Sequence, residues 1–402
     1  MTARPEAVIV DAVRSPIGKY GGGLRDVRPD DLGALVLRSL IQRTGIEPAR
    51  IQDVFWGCAN QAGEDNRNVA RMTSLLAGLP QSIPAVTINR LCGSGLESIN
   101  LAARSIWSGD QEIIVAGGVE SMSRAPYSIP KNQPGTYGNI TAYDTALGWR
   151  YPNPALAKLF PLESMGETAE NVAEKFKIRR EEQDTFALES HRKAILAQAT
   201  GKFAQEIVPV EVPSRRGPPT SVNQDEGPRS DTSLEKLAAL QPAFRKSGTV
   251  TAGNSSSLND GAAALLIMSA SIAKELHVAP MARIVSAGIV GVDPRYMGIG
   301  PIPATRQALE KAGLTMQNIN LIELNEAFAS QALAVVRELS IDPNILNPNG
   351  GAIALGHPLG CSGARIMTTL VHEMRRQKSP YGLATMCIGV GQGIATIVEG
   401  LW

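Results

Sequence analysis

Apolar and polar positions along this 402-residue chain fall into short blocks of two different periods. Residues 7–13, Ala-Val-Ile-Val-Asp-Ala-Val, are β-branched, apolar and followed by a polar, glycine-rich loop, which predicts a buried strand. Residues 30–43 set Leu32, Leu35, Leu37 and Leu40 on one face at helical spacing. Strands are predicted over 54–58 and 85–89. A helix over 69–77 ends at Gly78, and another over 95–108 ends at Gly109. Residues 112–116 read as a strand closed by Gly117-Gly118. This alternation predicts a layered α/β unit with a largely parallel sheet.

The pattern breaks at residue 121. Residues 121–160 are rich in Pro, Gly, Asn and Tyr and read as an excursion of loops. Two helices follow, over 164–176 and 180–200, the second with an acidic first turn. Residues 214–229 are polar and Pro/Gly-rich, as in an exposed loop. The alternation resumes at Thr249, with a buried strand over 262–268. A second alternating unit opens near Ala282, where Arg283-Ile284-Val285-Ser286-Ala287-Gly288 echoes the strand at Ala7. Cys92-Gly93-Ser94-Gly95 before a helix is echoed by Cys361-Ser362-Gly363-Ala364-Arg365 before a helix. A long-period repeat of this kind implies two similar halves, the first carrying the excursion.

Composition narrows the function. The 39 basic and 38 acidic residues leave a net charge of +1, so no global field attracts nucleic acid or an anionic membrane. Aromatics at 4% are too few for a base-stacking surface. Cys58, Cys92, Cys361 and Cys387 form no CxxC pair and do not cluster with the histidines, which argues against zinc and against a disulfide framework. Residues 1–6 lack a signal-peptide pattern, and no apolar run reaches membrane-spanning length. A cytoplasmic protein with reduced thiols is expected.

Three segments carry reactive side chains in glycine-rich settings: Asn89 to Gly95 around Cys92, Asn349 to Gly360 around His357, and Cys387 to Gly393. Acyl transfer through a thioester needs a soft nucleophile, a nearby base and bare backbone that can approach the substrate. Cys92 lies between a predicted strand and a helix, where the helix N-terminus favours thiolate; equally, it fits a small buried hydrophobe in a tight turn. His357 fits a base or oxyanion donor, or a structural loop histidine. Cys387 opens a Gly-x-Gly-x-Gly run; with an ordinary thiol pKa it could exchange protons at a carbon acid. Asn325 follows a predicted strand over 321–324, and fits a helix N-cap better than an oxyanion donor when read locally.

Ordered blocks along essentially the whole chain resemble the thiolases, the acetyl-CoA acyltransferase family. They are Asp11 to Pro16, Asn89 to Gly95, Gly117 to Ser123, Met165 to Glu170, Asn254 to Gly261, Asn325 to Phe328, Gly350 to Arg365 and Cys387 to Gly393. The resemblance implies a layered α-β-α-β-α core of two duplicated halves with an inserted loop domain. It divides the chain into 1–120 plus 250–275, the insertion 121–249, and 276–402. It implies Cys92 as the acyl-carrying nucleophile, His357 as its activator and Cys387 as the proton partner of the acetyl-CoA unit. Asn325 would hold a water in an oxyanion hole with His357, and the backbone N–H groups of Cys92 and Gly389 would form a second hole. Coenzyme A and acyl-CoA would be substrates, with no permanently bound cofactor and no metal. Ser256, Met165, Ala327 and Phe328 match residues along the pantetheine, and Arg229 a basic residue near the adenine or, equally, a solvated loop arginine. A homodimer or homotetramer is implied.

One departure bears on the substrate. Ser164 stands where the short-chain biosynthetic branch carries a histidine, while residues 57–68 and 387–393 are similar to the 3-oxoadipyl-CoA branch. The expected reaction is therefore degradative thiolysis of a 3-ketoacyl-CoA such as 3-oxoadipyl-CoA. The alternatives are a general acetyl-CoA acetyltransferase and a fatty-acid 3-ketoacyl-CoA thiolase. A decarboxylating condensing enzyme would lack Cys387, and a non-catalytic carrier would not need all three reactive residues. Cys58 and Cys361 read as structural.

Overall fold

A computed structural model describes residues 4–131, 140–214 and 217–402. Parts of two predicted loops, 132–139 and 215–216, and the first three residues lie outside that set. The first half contributes β1 (Ala7–Arg14), α1 (Pro29–Thr44), β2 (Asp53–Gly57), α2 (Val69–Leu76), β3 (Ala85–Ile88), α3 (Ser94–Ser108) and β4 (Ile113–Ser121). Helices α4 (Met165–Lys175) and α5 (Arg180–Ala199) follow the excursion, and β5 (Asn259–Ser269) returns the chain to the first sheet. The second half contributes β6 (Ala282–Gly291), α6 (Pro301–Ala312), β7 (Leu321–Leu324), α7 (Ala329–Leu339), α8 (Leu359–Gln377), β8 (Tyr381–Ile388) and β9 (Gln392–Gly400).

The strand order is β7-β8-β9-β6-β1-β5-β4-β2-β3. Only two residue pairs join β1 to β6, so the sheet is two sheets meeting at one seam. On each side of the seam the pairings run antiparallel, antiparallel, parallel outward from the centre. The final parallel pair β2–β3 has its counterpart in a parallel bridge from Ile322 to Leu346. The repeat faintly visible in the sequence is thus a repeat of topology. A largely parallel sheet was expected; the sheet is mixed, because the long returns β5 and β9 enter antiparallel between parallel neighbours.

Alternation along β1 explains the layers. Ala7 and Ile9 face a core shared with α3 and α8, while Val8 and Val10 face α1 and α2. A bulge between Ile9 and Asp11 then shifts the register. On the far side, α6 and α7 cover the outer face of the second sheet. Helices α3 and α8 form a central layer between the two sheets, giving α-β-α-β-α. Helix α8 is buried on all sides from Gly360 to Met374, as a helix walled by two sheets must be. No helix among the described residues is long and apolar enough to cross a membrane.

Three local expectations change. β4 does not stop at Gly117-Gly118 but runs through both. A Cβ on Gly117 would lie 2.3 Å from the Ala263 carbonyl, and one on Gly118 would lie 2.0 Å from the Gly360 carbonyl. These glycines allow close approach rather than ending a strand. The 214–229 loop is not wholly exposed. Asp225 is buried and takes both Nη1 (2.7 Å) and Nη2 (2.9 Å) of the fully buried Arg14. Cys361, expected ahead of its helix, lies inside the first turn of α8.

Candidate active site

Cys92 sits in the turn from β3 to α3. That turn is strained: Leu91 holds a left-handed φ of 48°, which costs a non-glycine residue about 1–3 kcal/mol. Local hydrogen bonds enforce it. Gly93 N–H donates to the Arg90 carbonyl (3.0 Å). Ser94 Oγ accepts from Arg90 N–H (2.9 Å) and donates to the Leu91 carbonyl (2.6 Å). Gly93 lets the turn lie against the end of β8, where a Cβ would meet Ile388 at 2.6 Å. Cys92 is thereby brought beside Cys387, and a charge on either thiol raises the cost of charging the other.

The β8–β9 turn closes over the Cys92 sulfur. Val390 (φ 62°) and Gly391 (φ 80°) both adopt the left-handed region. The backbone N–H groups of Gly389 and of Cys92 itself both bear on Sγ. Two converging donors make a site for negative charge, and the same pair can serve an oxyanion formed next to the sulfur. Burial nevertheless outweighs them and pushes the Cys92 thiol up. Desolvation is thus a larger influence on the resting thiol than these two donors. Cys387 is 1% exposed, in an apolar cluster with Met165, Ala169, Val250, Met297, Ala327 and Phe328. Burial raises its thiol far above the ordinary value, so it rests neutral rather than poised near neutrality.

His357 lies between a helical turn, Ala352–Leu355, and α8. It is buried, and desolvation followed by the nearby Arg365 charge depresses its pKa to about 3. The imidazole is therefore neutral at physiological pH. Its tautomer follows from one contact. Ser362 Oγ lies 2.6 Å from Nδ1 and donates its own proton to the Pro358 carbonyl at 2.8 Å. The hydroxyl has no second proton to give, so Nδ1–H donates to Ser362 and the lone pair is on Nε2. Asn325 Nδ2 lies 3.4 Å from Nε2 and 3.5 Å from Nδ1, so it does not point along the Nε2 lone pair. Asn325 Oδ1 is buried without a hydrogen-bond partner among the described residues. Helix α7 is capped by Phe328 and begins four residues after Asn325, so the N-cap alternative for Asn325 does not hold.

Asn325 and His357 are thus in contact, and Cys92, Gly389 and Cys387 form a second group. No side-chain hydrogen bond among the described residues joins Cys92 to His357, which is common for catalytic pairs in unliganded enzymes.

Beside this centre runs a cleft of ≈ 410 Å³ lined by Lys19, Tyr20, His191, Arg229, Ser255 and Ser257 among others. Arg229 is exposed in it, and its backbone N–H donates to His191 Nδ1 (3.2 Å). Ser256 lies between two lining serines and donates its N–H to the Ala327 carbonyl (2.9 Å). The Ser255–Ser256 segment is therefore a shared wall between the cleft and the Met165, Ala327, Phe328 and Cys387 cluster. Ser164, at the departure noted above, caps α4: its Oγ accepts from Glu167 N–H, and Glu167 reaches back to Ser164 N–H.

Sequence reasoning missed Ser362, Asn259 and Glu120. Asn259 Oδ1 accepts from His357 N–H (2.9 Å), and Glu120 Oε2 accepts from Gly360 N–H (2.8 Å). The one available signal was an acidic residue ending an otherwise apolar and small strand at 113–121.

The chain is similar to known proteins over nearly its whole length. Residues 7–271 match the thiolase N-terminal domain and residues 278–400 the thiolase C-terminal domain. The chain is 55% identical to an Escherichia coli 3-oxoadipyl-CoA/3-oxo-5,6-dehydrosuberyl-CoA thiolase, over 98% of this chain and 99% of that protein. It is 52% identical to a β-ketoadipyl-CoA thiolase of Acinetobacter baylyi, with the same coverage. Its fold matches a crystal structure of Bacillus anthracis acetyl-CoA acetyltransferase at a TM-score of 0.93 and 44% identity, over 100% of both chains.

Proposed function

The chain belongs to the thiolase family, and from that premise we propose that it cleaves 3-oxoadipyl-CoA with coenzyme A. It is an acyltransferase of 3-ketoacyl-CoA thiolysis. The observation that carries the substrate reading is the full-length likeness to a relative named for that substrate. Ser164, committed to capping α4, fits it, since it cannot serve as the histidine of the short-chain biosynthetic branch.

In this reading His357 Nε2 takes the Cys92 proton, and the thiolate attacks the 3-keto carbon. The N–H groups of Cys92 and Gly389 receive one developing oxyanion, and Asn325 with His357 the other. The C2–C3 bond breaks, leaving the acyl group on Cys92. Cys387, neutral at rest, gives its proton to the departing acetyl-CoA carbanion. Incoming coenzyme A gives its thiol proton to Cys387, its sulfur takes the acyl group, and the released Cys92 thiolate recovers its proton from His357, in two half-reactions. Coenzyme A enters and leaves as substrate along the cleft, with Arg229 toward its phosphates and adenine. The Ser256 segment, Met165, Ala327 and Phe328 lie along the pantetheine.

We further read the protein as cytoplasmic and homo-oligomeric, with halves 1–120 plus 250–275 and 276–402 around the insertion 121–249. Exposed apolar side chains concentrated in the insertion, including Tyr127 and Leu159, each 74% exposed, support self-association there. The test is thiolysis across a panel of 3-ketoacyl-CoAs. 3-Oxoadipyl-CoA should give the highest kcat/KM; a clear preference for acetoacetyl-CoA or a long-chain 3-ketoacyl-CoA would reject the substrate reading. Incubation with acetyl-CoA should add one acetyl group to the Cys92 peptide.

A further inference from the structure

His357 belongs to the second half of the chain and Cys92 to the first, so their relative placement depends on whatever joins the halves. The segment carrying His357 is gripped at two backbone points, one on each side of the proline. Upstream, His357 N–H donates to Asn259 Oδ1 at 2.9 Å. Downstream, Gly360 N–H donates to Glu120 Oε2 at 2.8 Å. Both acceptors come from the first half and from paired strands: Glu120 pairs with Gly261, two residues beyond Asn259.

Each acceptor is itself fixed. Asn259 is fully buried; its Nδ2 donates to the Gly18 carbonyl (2.9 Å), and its Oδ1 also accepts from Ser257 Oγ (2.9 Å). Gly356 packs face to face on this amide at φ 109°, where a Cβ would lie 2.4 Å from Asn259 Cγ. Glu120 is 2% exposed and also accepts from Ala59 N–H (2.8 Å) and Asn60 N–H (3.0 Å). It is close enough to Cys92 to affect that thiol electrostatically. Around the same point, Gly57, Gly95 and Gly118 each give way to the Gly360 carbonyl, at 2.8, 2.7 and 2.0 Å from their would-be Cβ atoms.

We propose that Asn259 and Glu120 form a two-point clamp that positions His357 against the Cys92-bearing half. They are positioning residues, and the assignment rests on the reading of Cys92 and His357 given above. Neither touches the reacting atoms. Each acts through a backbone N–H of the His357 segment, and a shift of about 1 Å there costs on the order of a hundredfold in rate.

The experiment measures acetylation of Cys92 by acetyl-CoA, in single turnover, for the full-length parent and for Asn259→Leu, Asn259→Asp and Glu120→Gln. Asn259→Leu keeps volume but loses the acceptor. Asn259→Asp keeps the acceptor and, as a buried neutral acid, donates to Gly18. Glu120→Gln sets an NH₂ group against backbone donors and gives an independent route should Asn259→Leu fail to fold. Asn259→Leu and Glu120→Gln should slow acetylation about tenfold or more per folded molecule, with the acetyl-CoA KM within about threefold, and Asn259→Asp should recover most of the rate. Alkylation of Cys92 by iodoacetamide should slow at neutral pH and recover at alkaline pH, a change that a purely structural role would not produce. Folded variants that acetylate within twofold of the parent would overturn the clamp. A parent that does not acetylate at Cys92 would overturn the catalytic reading beneath it.

Discussion

Ser362→Ala removes one oxygen from the wall behind His357. With it goes the 2.6 Å hydrogen bond from Nδ1–H, inside a site where Ser362 is 1% and His357 6% exposed. Water does not readily replace it there. The ring then has two choices. It can stay in the Nδ1–H tautomer with a buried unsatisfied donor, at a cost of about 1–3 kcal/mol. Or it can move the proton to Nε2, which removes the lone pair that would receive the thiol proton. Either way the competent tautomer is disfavoured by that amount, and acetylation of Cys92 should slow by about 5- to 150-fold. Loss of the Ser362–Pro358 bond should also lower stability by about 1 kcal/mol. The assay is quenched-flow mass spectrometry of the Cys92 peptide, with urea denaturation alongside. Because the tautomer ratio of a neutral imidazole does not vary with pH, the rate loss should be constant from mildly acidic to alkaline pH. Acetylation within twofold of the parent would refute the tautomer argument. A deficit that vanishes at high pH would show that Ser362 acts on basicity instead.

Other outcomes follow from burial and close approach. His357 is depressed to about 3 in the fold and titrates near 6.5 when unfolded, so protonation favours unfolding. Its contribution is complete above 6.5 and is lost as pH falls toward 3; the urea stability of the parent relative to His357→Asn should drop by about 1.4 kcal/mol per pH unit in that window, and a pH-independent difference would contradict it. Gly118→Ala drives a Cβ to 2.0 Å from the Gly360 carbonyl and should cost about 3 kcal/mol or more. Gly109→Ala, at φ 77° with open space around it, should cost only about 1–2 kcal/mol; equal melting temperatures for the two would refute the close-approach argument. Asp225→Ala leaves Arg14 buried with Glu206 as its remaining carboxylate and deprives Ile17 N–H of its acceptor. A loss of about 3–5 kcal/mol in urea denaturation is expected, and a change under 1 kcal/mol would rule out a structural role for this pair.

Most element positions were legible because periodicity and punctuation are local. The helix at 30–43 was legible from its leucine spacing and the helix at 95–108 from Gly109; Gly109, and Gly45 after the first helix, take the left-handed conformation that ends a helix. The strand through Gly117-Gly118 was misread because a glycine that ends an element and one that admits a neighbour look alike until the neighbour is known. Here the neighbours are the carbonyls of Ala263 and Gly360, one of them some 240 residues distant in sequence.

By itself, the sequence determined which reactive side chains exist, which are flanked by glycine, and where strands and helices alternate around them. Only the tertiary structure decided how the site is charged and joined. Cys92 and Cys387 rest as neutral thiols because burial outweighs the backbone donors around them. His357 rests neutral because it is enclosed near Arg365, and its proton is on Nδ1 because Ser362 has already spent its own on Pro358. Asn259 and Glu120 reach the His357 segment only because the antiparallel strands β4 and β5 bring them side by side. Periodicity is set by neighbours a few residues away. Desolvation and the grip on the His357 segment are set by groups about a hundred or more residues distant, which meet only once both sheets have closed around α3 and α8; the tautomer is set by Ser362, five residues on but brought to the ring only by the turn into α8.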